Sequence, residues 1–171
     1  MHNHFDLFGL APAYALETDA LERSYREIQS RVHPDRFAHA GDAERRASLQ
    51  WTTRVNEAYR TLKDPVQRAK HLLELHGVDV AFETNTAMPP DFLMQQMELR
   101  ESVEGAVAKK DPSSLDALRQ NLKKARRSLE KTIAEAIDAK KDYAAASGLV
   151  RKLQFLDKLD TEIDAAYETI E

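Results

Sequence analysis

Two groups of residues in this chain have types and spacings that could do chemistry or recognition. The first is His33-Pro34-Asp35. A histidine and an aspartate could serve as acid and base. Two positions apart across a stiff proline, they are not expected to meet as an oriented catalytic pair. No nucleophile, glycine-rich phosphate loop or metal motif accompanies them. The other use is display. Proline fixes the backbone and removes a donor, so the loop is rigid. A rigid polar loop loses little entropy on docking, and Asp35 can accept charge-assisted hydrogen bonds from a basic partner group. The plainest reading is a loop with a helix-breaking proline.

The second group is Leu93, Met94 and Met97, bordered by Glu98 and Glu101. At about 100° per residue the three apolar side chains share one helical face, beside a core face of Phe92, Leu99, Val103 and Val107. Leucine and methionine edged by carboxylates suit a flat or grooved protein contact, because methionine adapts to its partner. Phe155, about 100° from Leu156, is a candidate to leave the core as well. The alternative is one broad core face, with these residues packed under a neighbouring helix or linker.

Both groups depend on helices to position them. Leu21, Tyr25, Ile28 and Val32 follow helical spacing, with Thr18 and Asp19 as N-caps and Glu22 completing a capping box. That helix stops before Pro34. A loop over residues 33–42 precedes a second helix from about 43 to 63, with Trp51, Val55, Ala58, Tyr59 and Leu62 on one face. Asp64-Pro65 breaks it, and a short helix from about 66 to 76 ends at Gly77. Residues 77–90 have no periodicity and include Asn85, Pro89 and Pro90, which marks a linker. Three long helices follow, over about 91–108, 112–136 and 142–170. The second has Asp111 as cap, Pro112 at its first position, and a stripe of Leu115, Leu118, Leu122, Ala125, Leu129, Ile133 and Ala136. The last carries Leu149, Leu153, Leu156, Leu159, Ile163, Tyr167 and Ile170, with Gly148 weakening it locally. Short connections favour antiparallel neighbours and hence a three-helix bundle.

Composition agrees with an all-α protein. Of 171 residues, 32% are charged, while glycine (5) and proline (6) are scarce. A net charge of −4 does not advertise nucleic-acid or anionic-membrane binding. Lys123, Lys124, Arg126, Arg127 and Lys131 form a basic run. It is read as a solvated face, with RNA binding disfavoured because no aromatics interleave. Without cysteine there is no disulfide, thiolate metal site or thiol catalysis. The histidines at 2, 4, 33, 39, 71 and 76 lack a convincing zinc set, though His2 and His4 could bind metal weakly. No metal or cofactor is expected. With neither a secretory signal nor a membrane-spanning run, a cytoplasmic location is expected.

Tyr25-Arg26-x-Ile28, then His33-Pro34-Asp35, then Val55-x-x-Ala58-Tyr59-x-x-Leu62-x-Asp64-Pro65 resembles a J-domain. That likeness implies an Hsp70 partner whose ATPase is stimulated through His33, Pro34 and Asp35, with Arg23, Arg26 and Arg31 matching the basic face before the loop. Glu22 and Glu27 dilute that face, and Glu22–Arg26 and Glu27–Arg31 could equally be ordinary i,i+4 pairs.

Two further stretches carry the likeness onward. They are Asp64-Pro65-Val66-Gln67-Arg68-Ala69-Lys70-His71-Leu72-Leu73 and Phe92-Leu93-Met94-x-x-Met97-Glu98-Leu99-Arg100-Glu101. With Arg151-Lys152-Leu153-x-Phe155-Leu156-Asp157-Lys158-Leu159, they make nearly the whole chain similar to HscB-type J-domain co-chaperones of iron–sulfur cluster assembly. The resemblance implies an L-shaped protein with a J-domain at 1–76, a linker at 77–90 and a three-helix bundle at 91–171. It implies an HscA-type Hsp70 and an IscU-type scaffold as partners, and no activity as an enzyme. The scaffold-binding surface would be Leu93, Met94, Met97, Glu98, Glu101 and Phe155. Met97 stands where leucine is common, a nearly isosteric exchange. Lacking the cysteine extension of some eukaryotic relatives, the chain reads as a bacterial-type or processed form. Two rivals remain: an adaptor recruiting a different client or forming a homodimer, and an enzyme using His33 and Asp35.

Overall fold

The structure is a computed structural model that describes residues 3–80 and 89–171. Of the segment read as a linker, residues 81–88 lie outside the described residues, as does His2 of the expected His2–His4 metal pair. The elements are α1 (His4–Leu7), α2 (Thr18–Val32), a 3₁₀ turn (Pro34–Phe37), α3 (Asp42–Lys63), α4 (Pro65–Leu75), α5 (Pro90–Ala108), α6 (Pro112–Ala134), a π turn (Glu135–Ala139) and α7 (Tyr143–Ile170). The described residues form no strand, so the fold is all-α.

Caps and fixed backbone angles set several of the helix ends. Asp64 accepts from the N–H groups of Val66 (2.8 Å) and Gln67 (3.1 Å), while Pro65 occupies the first position of α4. Gly77, at φ +74°, ends α4 as Val78 N–H reaches back to Leu73 O at 2.9 Å. Asp111 caps α6 through the N–H and hydroxyl groups of Ser113 and Ser114. Those donors hold its carboxyl down at about 2.

The start of α2 corrects the sequence reading. Its cap is Glu17, with no side-chain hydrogen bond, and Thr18 and Asp19 already lie in the first turn. Glu22 closes no capping box: its carboxylate faces the Tyr59 hydroxyl, 3.5 Å away on α3. A tertiary contact has replaced the local one.

Two apolar cores organise the molecule. One gathers Phe5, Phe8, Leu21, Val55, Leu62, Leu72 and Leu73 with Ile133, Ile137, Val150 and Leu153. It therefore joins α1–α4 to the near ends of α6 and α7. The other lies farther along the bundle and holds Phe92, Val103, Leu115, Leu122, Phe155, Leu159 and Ile163. Trp51 and Ala125 are exposed, against expectation. Spacing does place Trp51 on the inner side of α3, but the single turn of α1 leaves an open cleft there. Trp51 lines that cleft with Leu7, Glu57 and His71, and its ring meets the Arg54 guanidinium at 5.0 Å. Ala125 sits at the lip of an apolar groove of about 470 Å³ lined from α5, α6 and α7.

Candidate functional site

The loop after α2 is held from both sides. Val32 ends α2, so its carbonyl has no partner within that helix. Ser48 and Thr52, one turn apart on α3, donate their hydroxyls to it at 2.5 and 3.2 Å. Ser48 is buried for this purpose. From the loop side, Arg36 donates to Ser30 O at 3.2 Å. Farther along the hairpin, Tyr25 and Tyr59 stack at 4.0 Å, and the Tyr25 hydroxyl donates to Asn56 at 2.7 Å. These contacts set the direction in which α2 delivers the loop.

Within the loop, Asp35 N–H donates to His33 Nδ1 at 3.2 Å. His33 Nδ1 thus caps the turn from the side-chain side. Asp35 Oδ2 lies 3.5 Å from the same Nδ1. The spacing suggests no oriented pair across the stiff proline, yet the 3₁₀ turn folds the Asp35 carboxylate back toward the His33 ring. The Asp35 carboxylate is almost fully exposed and available to a partner.

Arg23, Arg26 and Arg31 are exposed on α2. Arg31 pairs with Glu27 at 2.6 Å. The expected Glu22–Arg26 pair is not formed, since Glu22 turns to Tyr59. Among the described residues Arg23 and Arg26 have no ion-pair partner and carry the free positive charge of this face.

On α5, Leu93, Met94 and Met97 are 44%, 61% and 63% exposed, and Glu98 and Glu101 stand beside them, also exposed. The broad-core alternative therefore fails for these residues. It holds for Phe155, which is 6% exposed, so the expectation that it leaves the core is corrected. Its ring meets Phe92 edge-on at 5.7 Å and lies under the Arg100 guanidinium at 5.5 Å. Arg100 also reaches Glu162 on α7 at 3.6 Å. Phe155 supports α5 from beneath rather than forming part of the surface.

In the basic run on α6, Arg126 pairs with Asp157 at 2.5 Å, while Lys123, Lys124, Arg127 and Lys131 are exposed. His4 stacks on His71 at 4.4 Å and its N–H donates to His71 Nε2 at 3.1 Å. Sequence reasoning missed Ser48, Thr52 and Arg36. A signal existed for the first two: polar residues four apart on the otherwise apolar side of α3.

Comparison with known proteins covers both halves. The family described as the HSCB C-terminal oligomerisation domain matches residues 88–164. A relative from Burkholderia multivorans, a co-chaperone protein HscB homolog, is 50% identical over 99% of this chain and 96% of its own length. The chaperone HscB from Vibrio cholerae superposes with a TM-score of 0.88 at 36% identity, covering 99% of this chain and 100% of that one. The human co-chaperone protein HscB gives a TM-score of 0.90 at 25% identity, covering 96% of this chain and 81% of the human one. A hairpin that displays His33, Pro34 and Asp35, joined to a bundle with an exposed apolar face and matched along its length by these relatives, belongs to the HscB family of co-chaperones.

Proposed function

We propose that this protein is a two-site adaptor for iron–sulfur cluster assembly. It binds an IscU-type scaffold on α5, binds an HscA-type Hsp70 through His33, Pro34 and Asp35, and stimulates that Hsp70's ATPase. It works in the bacterial cytoplasm and turns over no substrate itself. Holding both partners on one frame raises their effective concentration for each other.

The observation that carries this reading is the face of Leu93, Met94 and Met97. Large apolar side chains that could have packed inward stand in solvent beside two carboxylates. Such a patch, centred on flexible methionines, suits a protein surface. Arg23 and Arg26 give the hairpin a modest positive field toward an acidic Hsp70 surface, salt-sensitive because they are exposed.

The test is steady-state ATP hydrolysis by the Hsp70, with this protein and the scaffold added singly and together. His33→Gln should abolish stimulation and leave scaffold affinity unchanged. Met94→Ala should weaken scaffold binding by about tenfold or more with the fold intact. Stimulation that the scaffold cannot enhance would instead favour a different client.

A further inference from the structure

Asp138 ties the J-domain to the bundle through two backbone hydrogen bonds. Its Oδ1 accepts from Tyr14 N–H at 2.8 Å and its Oδ2 from Ala15 N–H at 2.9 Å. Both are charge-assisted, the stronger class of hydrogen bond. They join positions more than 120 residues apart in sequence.

The local structure on each side is shaped for this contact. Asp138 lies in the π turn Glu135–Ala139, where Lys140 N–H bonds Glu135 O at 2.9 Å. A π turn is rare, and its extra residue re-aims the side chains that follow. No glycine or proline in Glu135–Ala139 compels it. It buries Ala136 and Ile137 together and turns Asp138 outward toward the J-domain. On the other side, the Tyr14 ring is 2% exposed and packs 4.9 Å from the Arg68 guanidinium. Arg68 in turn donates to Leu62 O at 2.7 Å and lies within electrostatic reach of Asp138. The Tyr14–Ala15 segment is therefore a wedge, pinned to α4 by its ring and to the π turn by its backbone.

We infer that Asp138 is a positioning residue. It locks the orientation of the His33 loop relative to the α5 face, and this lock sets how strongly scaffold binding enhances Hsp70 stimulation. The apolar core shared by the two halves resists separation, but apolar contacts are non-directional. The paired hydrogen bonds to Asp138 are directional and select one orientation. The inference rests on the proposed adaptor reading for its functional part only; the lock itself can be tested without it.

The experiment uses the full chain, which has no native cysteine. Spin labels at Glu44→Cys on α3 and Glu104→Cys on α5, both exposed positions, report the distribution of distances between the halves. Asp138→Ala should broaden that distribution while circular dichroism stays unchanged. Asp138→Asn, which keeps one carbonyl acceptor, should broaden it less and remains informative if the alanine variant folds poorly. In the ATPase assay, Asp138→Ala should at least halve the scaffold-dependent enhancement, with affinity for each partner alone unaltered. A merely structural role would lower the single-partner affinities as well. An unchanged distance distribution in both variants overturns the lock. A broadened distribution with full enhancement overturns its role in coupling. Absence of enhancement in the unsubstituted protein would refute the adaptor reading, and the distances would still decide the lock.

Discussion

The His33 loop is polar and stiffened by hydrogen bonds from α2 and α3, whereas the α5 face is apolar and held only by the helix beneath it. The loop relies on Ser48, Thr52 and Arg36 because its own backbone pairing is limited to a single 3₁₀ turn. The α5 face needs none of these, since its backbone is already satisfied within a helix. What it needs is a firm underside, supplied by Phe92, Phe155 and Arg100. A loop is thus positioned by named polar contacts, and a helix face by the core below.

The strongest way to break this comparison is at Phe155. Phe155→Ala removes a buried aromatic side chain and should destabilise the fold by about 3–5 kcal/mol. Urea unfolding measures the loss, and scaffold affinity measured on the folded fraction should fall because α5 loses support. If affinity fell with stability untouched, Phe155 would be a contact residue and the account of its burial would be wrong.

Acid distinguishes the two halves next. His71 on α4 is buried within the J-domain against α1, and burial, aided by the neighbouring His4, depresses its pKa from 6.5 to about 4. The folded state therefore disfavours the protonated ring. Stability from this group is complete above about pH 6.5 and is lost progressively as pH falls toward 4. Asp111, which caps α6, sits at about 2 and stays ionised across that range. Urea midpoints at several values between pH 7 and pH 4 should fall in the parent protein and fall less in His71→Gln. Parallel profiles would assign the acid sensitivity to another group.

Much of this architecture is written locally in the chain. Asp64-Pro65, Gly77 and Asp111-Pro112 each act through a cap or a dihedral angle that depends on near neighbours, so the breaks between helices follow from the sequence. Membership of a face is equally local: spacing puts Leu93, Met94 and Met97 together on one side of α5, but leaves open whether that side is core or surface, and only the family resemblance points to an exposed patch. What surrounds a face is not local. Trp51 lies on the expected side of α3, yet α1 is too short to cover it. Phe155 was expected to leave the core because Leu156 occupies the stripe, but Phe92 makes room for both. Ile133 and Leu153 read as bundle residues, and nothing in their spacing reveals that they bury against the J-domain. The π turn was not legible either, because Glu135–Ala139 contains no glycine or proline to mark it.

The smallest expected effect is the sharpest probe of how the loop is held. Ser48→Ala removes one of two donors to Val32 O while Thr52 keeps the other. The carbonyl is therefore not orphaned, and the stability cost should be only about 1 kcal/mol. That loss is too small to unfold the protein, but it loosens the last turn of α2, from which His33 and Asp35 project. Maximal Hsp70 stimulation should remain, because His33, Pro34 and Asp35 are intact. The concentration needed for half-maximal stimulation should rise a few-fold, since a looser loop must be ordered on docking. Scaffold affinity should not change, because among the described residues α5 shares no hydrogen bond with this joint. Thr52→Ala, which removes the longer contact, should do less, and the double substitution should exceed the sum of the two because the carbonyl then has no partner. Additive effects would mean that Val32 O is satisfied by solvent, and the loop would owe its direction to the tyrosine stack and Arg36 alone.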